Sequence, residues 1–287
     1  MMRRTGGPII VVLVPGLVLG LVGCAGAEEQ QDRAAYDAML EVEKVPGVIV
    51  APYEDHVQID PSAPEDEIVA TALGVREVLD GLGSDRPEEL TLVAVYPGDA
   101  VVATEFTTPI LDDPDRLERD VRIWASLLDE GFTEVRFNVF DETGDGVLNV
   151  HSGEPGEPGP SVSESFDAMV GALSASGADS ASFEALQTEA LVDDTLVTNR
   201  SGRPALPADW AEAIEAVTDL AYIRKAAAGF EPDATTLRLT GSSELTPEQS
   251  AEILAILGGA GVLQPSVTVT YSLGGDTPAT ALYGSVQ

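Results

Sequence analysis

The strongest constraint in this chain is a recurrence. Apolar stripes at helical spacing, most followed by two short alternating segments, begin near Arg33, Pro64, Pro114, Val162, Pro207 and Pro247, about 43 residues apart on average. Six candidate copies of one supersecondary unit restrict the fold to something assembled from neighbours. Ile68, Ala72, Val75 and Leu79 fall at i, i+4, i+7 and i+11, as do Leu117, Val121, Trp124 and Leu128. Phe166, Val170 and Leu173, and likewise Trp210, Ile214 and Val217, repeat the first three positions. Each set is one apolar stripe that has to be buried against another layer.

Start and stop signals agree with the stripes. Thr246-Pro247-Glu248-Gln249 offers an N-cap hydroxyl, a proline where a missing N–H is harmless, and a Gln spaced to close a capping box. Gly131 and Gly177 follow the last stripe residues, where a left-handed turn ends a helix. Gly81-Leu82-Gly83 reads the same way rather than as a dinucleotide loop. Arg86 stands where a third glycine would be needed, and a helix precedes the pair instead of a strand.

Paired strand signals follow most helices: Leu90 to Val95 with Val101 to Phe106, Val135 to Val139 with Val147 to Val150, and Val267 to Tyr271 with Ala281 to Tyr283. Val48 to Val50 and His56 to Ile59 give the first unit its pair. In the fifth unit Leu220 to Ala228 fits either a longer helix or a first strand. The implied fold class is α+β: repeated helix–hairpin (αββ) units forming antiparallel sheets with helices on one face. Two successive units would have the neighbours of a circularly permuted ferredoxin-like module. A spacer at 153–160 (GEPGEPGP) divides the chain into lobes of three units, 32–152 and 161–287, with three pairs of units as the rival division.

Composition narrows the partners. With 49 acidic against 15 basic residues the formal charge is −34, which repels nucleic-acid phosphates, so no nucleic-acid partner is expected. A hydrophobic fraction of 44% is too high for a disordered acidic tail. One cysteine cannot form an intramolecular disulfide, so packing alone must hold the fold.

The N-terminus addresses the chain. Arg3 and Arg4 precede an apolar run, Ile9 to Val14 and Leu17 to Leu19, and Leu21-Val22-Gly23-Cys24 closes it. Pro8, Pro15, Gly16 and Gly20 interrupt that run, against a spanning helix. The ending resembles the lipobox of bacterial lipoproteins. That resemblance implies a signal peptide over 1–23, cleavage between Gly23 and Cys24, acyl chains on Cys24 and a tether over 24–31. The folded part is then expected on the exported side of the cell membrane.

Chemistry-bearing motifs are sparse. Asp141, Thr143 and Asp145 occupy positions 1, 3 and 5 of a calcium-type loop with Gly146 at 6, but position 12 is Ser152 rather than a bidentate Glu. Strand-like flanks make a hairpin turn the expected structure there. His56 and His151 have no second histidine at ligand spacing, and neither a GxSxG elbow nor an SxxK pair occurs. Trp124 and Trp210 sit on apolar stripes and are expected in the core. The sequence thus reads as a membrane-anchored envelope lipoprotein without a cofactor, a binding or interaction module whose partners are the membrane, through Cys24, and an unspecified envelope protein or ligand. A carboxylate-dependent hydrolase is the first alternative, recognisable by a deep pocket holding a carboxylate of raised pKa. A calcium-responsive module using Asp141, Thr143 and Asp145 is the second.

Overall fold

The computed structural model describes residues 36–53, 56–83, 86–95, 101–128, 130–140, 145–152, 159–178, 186–201, 204–274 and 279–284. In chain order these form α1 (described over 36–42), β1 (Val48–Tyr53), β2 (His56–Ile59), α2 (Glu65–Asp80), β3 (Glu89–Val95) and β4 (Val101–Thr107). There follow α3 (Thr108–Asp112), α4 (Pro114–Ala125), β5 (Glu134–Phe140), β6 (Asp145–Ser152), α5 (Val162–Ala175), β7 (Leu186–Val192) and β8 (Thr195–Asn199). The chain closes with α6 (Ala208–Thr218), β9 (Ile223–Phe230), β10 (Thr235–Gly241), α7 (Pro247–Gly259), β11 (Val267–Ser272) and β12 (Thr280–Tyr283). The αββ order recurs in all six places, with α3 an unexpected short turn of helix before α4.

Strand order follows chain order. One sheet runs β1-β2-β3-β4 and the other β5 through β12 without a crossing. β4 lies beside β5, where the Thr104 hydroxyl donates to the Phe137 carbonyl at 2.7 Å, so the second sheet continues the line of the first. Every hairpin is antiparallel, as expected. Four of the five joints between hairpins are not. β2 meets β3, β6 meets β7, β8 meets β9 and β10 meets β11 in parallel.

This corrects the expectation of purely antiparallel sheets and of permuted ferredoxin-like modules, whose hairpins would meet antiparallel. The reason is dimensional. The 11 residues of α6 rise roughly 16 Å, about the length of the five-residue β8. The helix therefore returns the chain to the end where β8 began, and β9 runs the same way in the adjacent place. The joint across 153–160 is built alike: β6 and β7 pair from Gly146 with Leu186 to Ser152 with Val192, so strand pairing does not stop at the spacer.

The helices form one row, with α2 against α4, α4 against α5, α5 against α6 and α6 against α7. Their stripes are buried as expected, except that Met169 rather than Val170 takes the inward position on α5. Beneath them one rank of the sheet crosses eight strands in register: Val135, Val150, Ala190, Val197, Ala228, Leu237, Val269 and Tyr283. All but Tyr283 are buried. Burying such a rank under helices supplies the main stabilisation, at about 25 cal/mol per Å² of apolar surface.

The capping box of α7 forms with both bonds, Gln249 N–H to the Thr246 hydroxyl and Thr246 N–H to the Gln249 side chain. Ser161 and Glu164 make a second box on α5. Gly131 and Gly177 adopt φ of 80° and 73°, the left-handed region anticipated for them. The fifth unit resolves as a strand: α6 stops at Thr218, and Ile223, Ala226, Ala228 and Phe230 turn inward from β9. Between α2 and α4, Arg122 bridges Glu65 at 2.5 Å, Asp66 at 2.8 Å and Glu118 at 3.1 Å. Among the described residues no helix is long and apolar enough to cross a membrane.

Candidate functional site

Side chains of a strand alternate between faces, so the sheet that buries one rank under the helices must display the next on its other side. That rank runs Arg136, Asn149, Glu189, Thr198, Gly229, Thr236 and Thr268, in register across β5 to β11. Its members are half-buried or exposed, and no hydrophobic side chain interrupts it. Glu189 is its hub. One carboxylate oxygen accepts from Asn149 Nδ2 at 2.6 Å, and the other accepts from the Thr198 hydroxyl at 3.0 Å and Gln187 Nε2 at 3.4 Å. The Arg200 Nε donates to Gln187 at 2.6 Å, extending the network toward the rim. Asn149 Oδ1 is buried without a hydrogen-bond partner, an acceptor waiting for a donor. At the β5 end Glu134 holds His151 Nδ1 at 3.0 Å and pairs with Arg136.

A second concavity lies on the rim, where the loop from β8 to α6, the β9–β10 turn and the loop from α7 to β11 converge. Backbone bonds fix these segments to one another: Arg200 N–H donates to the Phe230 carbonyl at 2.7 Å and Thr235 N–H to Ser266 at 3.1 Å. The cleft between them has a volume of about 660 Å³. Its floor includes Trp210 and Phe230, edge to face with centroids 5.3 Å apart, and its rim carries Asp209, Glu231 and Gln264. Trp210, expected in the core, is 7% exposed, so it packs there and also lines the cleft. Trp124 is wholly interior, its Nε1–H donating to the Val135 carbonyl at 3.2 Å.

Other sequence candidates are not brought together. Gly23, Cys24, Asp141 and Thr143 lie outside the described residues, as do 1–35 and 141–144 generally. Asp145 opens β6, paired with Phe140 of β5, so strands and not helices flank that turn. His56 stands on β2 and His151 on β6, far apart in strand order. Among the described residues no three of His, Cys, Asp and Glu gather as a metal site. Asn199, at the end of β8, is buried, its Oδ1 accepting from both the backbone N–H and the hydroxyl of Ser201.

Sequence reasoning missed one unusual carboxylate. Asp120 on α4 is fully buried, and burial pushes its pKa from an ordinary 3.8 up to about 6 despite Arg119 at 2.7 Å. Its Oδ2 has no hydrogen-bond partner, and Arg116 approaches no closer than 4.0 Å. The only trace in the sequence is its position beside the stripe residues Leu117, Val121 and Trp124. Asp120 does not line the rim cleft, so the raised carboxylate and the concavity are separate features. Compared with known proteins, the chain matches no family model, no curated protein and no solved structure.

Proposed function

We propose that this chain is an exported, lipid-anchored binding module, tethered at Cys24, that presents the face of its sheet opposite the helix row to another component of the cell envelope. The observation carrying this reading is the polar rank from Arg136 to Thr268, with the Asn149–Glu189–Thr198 network at its centre. Polar side chains in register on six of seven adjacent strands suit an extended partner better than a small substrate. The separation of Asp120 from the rim cleft favours binding over hydrolysis, since an acid/base catalyst has to reach its substrate.

Two measurements test the proposal. A photo-cross-linking residue at Thr236 or Arg238 is expected to trap a partner in cells, whereas the same residue at Asp167 or Glu212 on the exposed side of the helices traps none. Adducts formed only from the helix side would overturn the docking face. Cys24→Ser is expected to abolish incorporation of labelled fatty acid, and undiminished labelling would remove the tether from the account.

A further inference from the structure

We propose that the rim cleft binds an ammonium or guanidinium group carried on an apolar stem, with Asp209 and Glu231 meeting the charge and Trp210 and Phe230 the stem. This site is distinct from the sheet face, and its ligand class follows from its lining. Among the described lining residues the charged groups are Asp209, on α6, and Glu231, in the turn after β9, and none is a Lys or Arg. Below them lies an apolar floor that includes the Trp210–Phe230 pair. Carboxylates over aromatic rings are the usual receptor for an organic cation, because ring faces and anions both attract positive charge. An anionic ligand would meet two carboxylates at the rim and a chain of formal charge −34 around it.

The molecule contains its own example of this attraction. Arg200 Nη1 stands 3.8 Å from Glu231, both side chains more than half exposed. That contact is loose, and the same guanidinium is anchored through Nε to Gln187. Arg200 is therefore an internal competitor at the mouth of the cleft, and its removal should help a cationic ligand and hinder an anionic one.

Fluorescence reads the site directly. The chain has two tryptophans, and Trp124 is sealed from solvent, so a ligand-induced change reports Trp210. The full chain, solubilised in mild detergent, is titrated separately with spermine and with a short peptide alternating arginine and leucine. A saturable change with at least one of them is expected. Asp209→Asn with Glu231→Gln should weaken it about tenfold, one such step being a modest electrostatic loss. Asp167→Asn with Glu212→Gln, which removes equal charge from the helix row, should alter it less than about twofold by the same measure. Arg200→Gln should tighten it. Response to spermine alone identifies a free polyamine as the source of the cation, and response to the peptide alone a side chain of a protein. Equal losses in the two double variants, weaker binding in Arg200→Gln, an equal response to neutral hexanol, or no response to either probe overturns the proposal.

Discussion

The two faces of the same strands have been given opposite tasks. In β10, Leu237 points to the helices and is completely buried, while Arg238, the next residue, is exposed on the other side. The helix-side rank is Val, Ala and Leu almost throughout, and the bare rank is Arg, Asn, Glu, Thr and Gly. Stability resides in the first, and the second is the face proposed above for a partner. A one-residue slip in register would exchange them.

This contrast can be broken experimentally. Leu237→Ala should cost about 3 kcal/mol in chemical unfolding, from lost transfer energy and the cavity left behind. Arg238→Ala should stay within about 0.5 kcal/mol. Equal costs would mean that the bare face also supports the fold.

Asp120 sharpens the comparison, because it places an ionisable group within the helix layer. A carboxyl whose folded pKa is raised favours the folded state below its unfolded value near 3.8, and that contribution is lost as pH rises through about 6. Asp120→Asn should therefore match the parent near pH 4 and exceed it by on the order of 3 kcal/mol near pH 8. An advantage that is constant with pH would show that the carboxyl is not titrating there. A smaller loss belongs to the end of a helix rather than its face. Thr246→Ala should lower stability by about 1 kcal/mol, read as a shift in urea midpoint at unchanged slope.

Legibility in the sequence followed the range of the interactions. Helix starts, stripes and hairpins depend on residues a few positions apart, and Thr246, Gly131, Leu117 and Val269 stood where their neighbours implied. Ser161 and Glu164 carried the same signal as Thr246 and Gln249, and it was there to be read. Ala226-Ala227-Ala228 kept the fifth unit open because alanine favours helices, yet pairing to β8 and β10 on both sides overrode that preference. Parallel joints were invisible, since their direction depends on where a helix sets down the following strand. The Glu189 network was invisible for a related reason: Asn149, Glu189 and Thr198 share no local motif and meet only through register. The cleft is half-visible, in that the stripe implies the burial of Trp210, while Asp209 and Glu231 share no local motif and come together only through the turns between α6, β9 and β10.

Sequential strand order also bears on how quickly the protein assembles. Among the described residues every substantial contact joins elements of one unit or of adjacent ones. No segment has to wait for a distant one to be synthesised, and each closure spans only tens of residues, the circumstance in which the entropic barrier to folding is low. A growing chain can therefore complete its layers one after another, and lengthening the protein by a whole unit would leave the time needed for each addition almost unchanged.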